Sequence, residues 1–213
     1  TLLGFLRARG FDVQAAYKQY LSTVEWRKKN GIDSILDKPV NHSECLLITQ
    51  VMSCGFHKQD KEGRPCYIEY TGRTDVSALV KVHTILPVDQ VIRRHIWNCE
   101  YQIARMAELS QNSVSSLEEN TSIITLLNCR FGGFRKALNI FKRLAKLDQD
   151  HYPERMGKIF IVNTPWVFPV LWKIARVFLD PKTRSKCVVL KSSENPKLLN
   201  YFYAADLPEE FGG

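Results

Sequence analysis

The chain has 213 residues, 45% of them hydrophobic, 24% charged and 11% aromatic, which is enough apolar side chain to bury a sizeable core. This balance, with no Pro/Gly/Ser-rich tract and no block of like charge, excludes a disordered, collagen-like or prion-like chain. Thirty Lys and Arg against 22 Asp and Glu leave a net charge of +8, which favours an anionic partner: a phosphoinositide, an acidic membrane surface or nucleic acid.

Over residues 11–30 the apolar positions Val13, Ala16, Tyr17, Tyr20, Leu21 and Val24 recur at three and four, which predicts a helix capped by Asp12 and stopped at Gly31. Lys38-Pro39-Val40-Asn41-His42 breaks the pattern and divides a helical N-terminal piece, residues 1–43, from a main domain, residues 44–213. Beyond it, short β-branched or aromatic runs alternate with long helical patterns. Strands are expected at 66–70, 122–129, 159–163 and 187–190, and helices at 88–109, 134–147, 168–179 and 196–205. Strands separated by helices of this length predict βαβ units and an α/β fold with a mixed, mostly parallel sheet.

The longest uncharged run, residues 159–172, is interrupted by Asn163, Pro165 and Pro169 and falls short of the roughly 20 apolar residues a membrane span needs. Thr1-Leu2-Leu3-Gly4-Phe5 has no Met and no basic segment before its apolar one, so the expectation is an excerpt without a signal peptide. Six scattered cysteines without a C-x-x-C pair suit free thiols in a reducing, cytoplasmic setting. The five histidines show no metal-ligand spacing and are assigned no metal, and no helix-turn-helix, zinc-finger or RNA-binding signature supports nucleic acid.

Two segments carry chemistry. From Trp166 to Leu179 apolar residues occupy nearly every face of the predicted helix, so it is either a central core helix or one whose outer face meets lipid. Cys129-Arg130-Phe131-Gly132-Gly133-Phe134-Arg135 fits the C-x-x-G-x-x-R spacing of cysteine-dependent phosphatases, with Cys129 as nucleophile and Arg135 gripping phosphate at a helix N-terminus. Asn128 and Lys136 depart from the His and Ser/Thr usual at its flanks, and a buried strand-end cysteine is the plainer reading.

A further set of motifs runs through the chain in order. Leu2-Leu3-Gly4-Phe5-Leu6-Arg7-Ala8-Arg9-Gly10-Phe11-Asp12-Val13, Trp26-Arg27, Asp60-Lys61-Glu62-Gly63-Arg64-Pro65 and Tyr152-Pro153-Glu154-Arg155-Met156-Gly157-Lys158 come first. Asn163-Thr164-Pro165, Phe178-Leu179-Asp180-Pro181-Lys182-Thr183 and Leu207-Pro208-Glu209-Glu210-Phe211-Gly212-Gly213 complete them. Together they resemble the CRAL-TRIO lipid-binding family, and within it the yeast-type phosphatidylinositol/phosphatidylcholine transfer proteins.

The resemblance implies a sheet flooring an apolar cavity that holds one phospholipid, a gate helix over it, and a helical N-terminal subdomain present here in part. It implies headgroup contacts at Arg9, Glu154, Thr183 and Lys186, with Gly10 standing where the family has a lysine. Phe56, Cys99, Asn120 and Ser122 correspond to the family's second-lipid wall, where two aromatic hydroxyls are replaced, and Trp166, Phe168, Leu171, Trp172 and Phe178 fall in the gate region. The implied function is non-enzymatic exchange of phosphatidylinositol for a second lipid at a transiently contacted membrane, with presentation to a phosphoinositide kinase and no cofactor beyond the bound phospholipid. Two alternatives stand beside it: a binder of a sterol or other apolar ligand without exchange, and the Cys129 phosphatase.

Overall fold

The computed structural model describes residues 2–37, 53–71, 88–111, 117–129 and 134–213. The predicted domain boundary near residue 43 lies outside them. Two helices lead: α1 (Leu2–Ala8) and α2 (Val13–Asn30). α2 starts where the Asp12 carboxylate accepts the Ala15 N–H at 3.0 Å and ends where Gly31 turns left-handed at φ 59°, as its sequence predicts. Its buried face is different from the predicted one. Ala16, Gln19 and Thr23 are buried, whereas Val13, Tyr17, Leu21 and Val24 are exposed. Hydrogen bonding decides this, because Gln19 and Thr23 donate to the Gln149 and Asp150 carbonyls, which the helix Phe134–His151 leaves unpaired at its C-terminus.

β1 (Ser53–Gln59) and β2 (Pro65–Tyr70) form an antiparallel hairpin, and β3 (Asn120–Thr125), β4 (Met156–Val162) and β5 (Cys187–Val189) add in parallel, giving a sheet in the order β1-β2-β3-β4-β5. The hairpin turn is locked by Asp60, 3% exposed, which accepts from the Glu62 and Arg64 backbone, the Arg64 guanidinium and the Thr121 hydroxyl on β3. The crossovers carry α3 (Val88–Ser110), α4 (Phe134–His151) and the pair α5 (Phe168–Ala175) and α6 (Pro181–Lys186). Each parallel connection steps the same way along the sheet, so the right-handed crossover rule puts all of these helices on one face.

The opposite face is covered by 3₁₀ segments at Ser192–Asn200, Ala204–Asp206 and Glu209–Phe211, which lay Leu198, Phe202, Leu207 and Phe211 onto Cys66, Ile68, Ile123, Phe160 and Val162. The sequence predicts one helix over 196–205. Pro196 lacks an N–H for a regular helix, and short turns keep the chain flat against the sheet. The strand predicted over 122–129 ends at Thr125, because the chain turns and Asn128 adopts a left-handed φ of 63°. The helix predicted over 168–179 stops at Ala175 and tightens to 3₁₀ through Phe178 ahead of Pro181.

Besides the Gln19 and Thr23 contacts, the N-terminal helices are tied to this body by an ion pair. Glu100 of α3, 9% exposed, accepts both Arg27 guanidinium nitrogens at 2.7 and 3.1 Å and the Tyr152 hydroxyl at 2.7 Å. Trp26 stacks on His151 with centroids 4.0 Å apart. The Trp26-Arg27 motif is thus a fastening of α2 onto α3 and α4.

Candidate functional site

Strand alternation gives the helix-covered face of the sheet to Tyr67, Glu69, Ser122, Ile124, Ile159 and Ile161. Above them the helices enclose a cavity of about 940 Å³, within the range of small-molecule and cofactor sites. Most of its wall is apolar. Burial, with Asp180 nearby, pushes the Cys187 thiol up to about 11, so it faces the cavity as a neutral group at physiological pH.

One part of the wall is strongly polar. Glu154 holds a left-handed φ of 57°, a conformation that costs a non-glycine residue on the order of 1 kcal/mol and aims its carboxylate at two lysines of α6. Its oxygens lie 2.8 Å from Lys182 Nζ and 3.3 Å from Lys186 Nζ. Lys186 also donates to Glu119 at 3.1 Å and to the Met156 carbonyl at 2.5 Å, so all three of its protons are engaged. Asp180 caps α6 by accepting the Lys182 and Thr183 N–H groups and the Thr183 hydroxyl. Burial works to raise the Asp180 carboxyl, but these hydrogen bonds win and hold it below its ordinary value.

All four implied headgroup residues, Arg9, Glu154, Thr183 and Lys186, line the cavity. The geometry decides what two of them can offer a ligand. Thr183 gives its proton to Asp180, so its hydroxyl meets a ligand as an acceptor, and Lys186 reaches a phosphate only by releasing one of its acceptors. Arg9 is exposed and is steadied by Gln19 Oε1 at 2.7 Å. Gly10 has φ 60° and open space where a Cβ would stand, so a side chain there is disfavoured by the backbone and not by crowding.

The cavity also brings in Lys182 and Arg155, which the sequence reading leaves out of its site. Lys182 is half exposed and its ammonium pairs with Glu154. Arg155 donates to the Glu118 carbonyl at a long 3.5 Å, and burial pulls its pKa down against the pull of Glu118 and Glu100. Lys182 was legible in principle, four residues from Lys186 on one helix face. Arg155 lay inside the quoted Tyr-Pro-Glu-Arg motif, and only the tertiary fold turns it to the wall.

The second-lipid residues divide. Cys99 and Ser122 line the cavity. Phe56 lies on the edge strand against Tyr67 and Tyr101, and Asn120 is wholly buried at the start of β3, its amide 3.4 Å from Ser122 Oγ, so neither forms part of the wall. A phenol is nonetheless present, because Tyr67 faces the cavity from β2 and its hydroxyl accepts from Asn98 at 3.1 Å.

In the gate region Phe168 and Trp172 turn into the cavity, with rings stacked 6.0 Å apart, while Trp166 is 91% exposed on the outside with Val170, Ile174 and Val177. Leu171 and Phe178 lie outside the cavity lining, and Lys142 sits over the Phe178 ring. The segment is therefore a cover with an apolar outer face, not a central core helix.

Burial raises the Cys129 thiol, the opposite of the activation a phosphatase nucleophile needs. Residues 130–133 of that motif lie outside the described residues, and Arg135 is exposed. No helix among the described residues is long and apolar enough to cross a membrane.

On the cavity wall between α3 and α4, His95, Cys99 and Asp148 converge. His95 Nε2 is 2.7 Å from Asp148 Oδ1 and 3.5 Å from Cys99 Sγ, and Cys99 Sγ is 3.9 Å from Asp148 Oδ1. Burial opposes the charge on His95, but Cys99 and Asp148 outweigh it and its pKa rises. Glu69, pushed up by burial, interacts with His95 from the sheet side.

Residues 49–213 match the CRAL/TRIO domain family. The chain is 34% identical over its full length to a SEC14 cytosolic factor of Eremothecium gossypii, spanning 68% of that protein. It is also 34% identical to the phosphatidylinositol/phosphatidylcholine transfer protein SFH9 of Arabidopsis thaliana, spanning 36% of it. The crystal structure of Sfh5 superposes with a TM-score of 0.71 at 20% identity, over 94% of this chain and 66% of that one, which is a likeness of fold.

Proposed function

Because the chain belongs to the CRAL/TRIO domain family, we propose that it is a lipid transfer protein that binds phosphatidylinositol in its cavity and exchanges it for a second lipid at a membrane surface. The observation that carries this reading is the pairing, in one cavity of about 940 Å³, of a mostly apolar lining with Lys182 and Lys186 gathered about Glu154, Arg155 lining the same cavity. Acyl chains fit the first environment and an inositol phosphate the second: cations meet the phosphate, while Glu154 and the Thr183 oxygen accept from inositol hydroxyls. The names of the relatives, SEC14 cytosolic factor and phosphatidylinositol/phosphatidylcholine transfer protein, support the same function.

The cover formed by residues 166–179 supplies the exchange step. Its outer residues Trp166, Val170, Ile174 and Val177 are exposed beside Lys173 and Arg176, a combination suited to an anionic bilayer surface. Lifting it opens the cavity toward that surface, with the protein cytoplasmic and peripherally attached and the headgroup presented to a phosphoinositide kinase. The second lipid meets Ser122 and the Tyr67 hydroxyl, and the replacement of a family aromatic hydroxyl at Cys99 favours a weakly polar second ligand such as a sterol.

The test is transfer of phosphatidylinositol between vesicles by Lys186→Met and Glu154→Gln. Loss of one charge-assisted hydrogen bond, roughly 1.5–3 kcal/mol, slows transfer at least about tenfold while the circular dichroism spectrum stays that of the wild type. Unchanged transfer in both variants removes the headgroup assignment.

A further inference from the structure

The His95, Cys99 and Asp148 cluster has a shape that a lipid wall does not require. His95 and Cys99 are four residues apart on α3, and so share one face of it, and Asp148 meets them from the neighbouring α4. A nitrogen, a sulfur and a carboxylate oxygen, one from each residue, lie within 4.8 Å of one another.

A relay of the Cys-His-Asp type is ruled out by which atoms meet. Such a relay needs the thiol on one ring nitrogen and the carboxylate on the other, whereas here both approach Nε2. Three donors converging on one point are instead the geometry of a coordination shell. The separations of 3.5 and 3.9 Å to sulfur already suit ligands about 2.0–2.3 Å from a shared ion, and the 2.7 Å contact of His95 with Asp148 opens by a few tenths of an ångström once a cation takes the place of the proton between them.

We propose that His95, Cys99 and Asp148 form a binding site for a divalent transition-metal ion of the zinc class, held by three protein ligands with its remaining coordination position open to the cavity. The donor set defines the class. A thiolate with an imidazole disfavours the hard ions calcium and magnesium, and a single carboxylate with both suits zinc or cobalt. All three residues line the cavity, so the open position is completed by water or by an oxygen donor on whatever occupies the cavity. The site does not depend on which lipid the protein carries.

The experiment is titration of the purified, chelator-treated full chain with Co(II), followed by absorption spectroscopy. The expected result is one cobalt per chain, with the thiolate-to-cobalt charge-transfer band of a site containing one sulfur and a visible spectrum of four-coordinate intensity. Cys99→Ser abolishes the band, and His95→Gln and Asp148→Asn each weaken binding by more than about 100-fold, beyond what loss of an outer-shell partner alone costs. Cys129→Ser, outside the cavity lining, leaves the band unchanged. Folding of each variant is checked by circular dichroism, and Asp148→Asn, closest in shape to the native residue, decides the case if the others unfold. Absence of stoichiometric binding, or a charge-transfer band that survives Cys99→Ser, overturns the proposal.

Discussion

On one face of the sheet Cys66, Ile68, Ile123, Phe160 and Val162 are at most 3% exposed beneath Leu198, Phe202, Leu207 and Phe211. On the other, Tyr67, Glu69, Ser122, Ile124, Ile159 and Ile161 look onto about 940 Å³ of space. Both faces come from the same strands and the same two-residue alternation. What differs is the cover. The 3₁₀ segments lie directly on the first face, whereas the helices over the second touch it only in part, Phe168 of α5 packing on Ile159 and Ile161, and leave the cavity between them and the strands. Packed atoms gain dispersion energy and atoms facing a void do not, so the first face holds the fold together and the second is free to bind.

The largest effect should come from opening the packed face. Phe202 is fully buried against Phe160, and Phe202→Ala should cost about 3–5 kcal/mol of stability, read as a lower denaturant midpoint. A cost near zero would erase the contrast between the faces. Overfilling the cavity face should do less harm to the fold and more to function. Ile161→Trp should lower stability by only about 1–3 kcal/mol while sharply reducing the lipid extracted per chain, and a full complement of lipid in that variant would place the cargo elsewhere.

The smallest effect belongs to the seam between the N-terminal helices and the body, which lies on neither face. His151 stacks on Trp26, and burial lowers its pKa, with Asp150 pulling it up and Lys146 pushing it down. The unfolded chain then takes up a proton near pH 6.5 that the folded chain does not bind, so this residue's contribution falls as pH drops through that value. Comparing wild type with His151→Gln between pH 7.5 and 5.5 should show the wild type losing more stability on acidification; parallel profiles would mean that the stacking leaves the imidazole unperturbed.

The α/β class, the bounds of α2 and the run of motifs were legible because capping, strand alternation and turn chemistry are local. Asp12 and Gly31 mark α2 within its own few residues. The buried face of α2 was not legible, since Gln19 and Thr23 are buried for the sake of carbonyls some 130 residues away. The motif residues also proved to serve different ends. Asp60 and Arg64 lock a turn, Trp26 and Arg27 fasten a helix, and Glu154 serves the cavity. All three uses place polar groups at fixed spacing, and the string of residues does not distinguish them.

By itself the sequence determined the order of β2 to β5 and of the long helices, though not β1, α1 or α6, and it carried the motifs of the family, because each follows from patterns within a turn or a strand. Tertiary structure alone decided which polar groups share a wall. Arg155 and Lys182 join Glu154, Asn120 is sealed away from the cavity, and Asp148 reaches His95 and Cys99 across more than 45 residues of chain. Long-range contacts of this kind are set by how α3 and α4 cross the sheet, and no local propensity encodes that crossing.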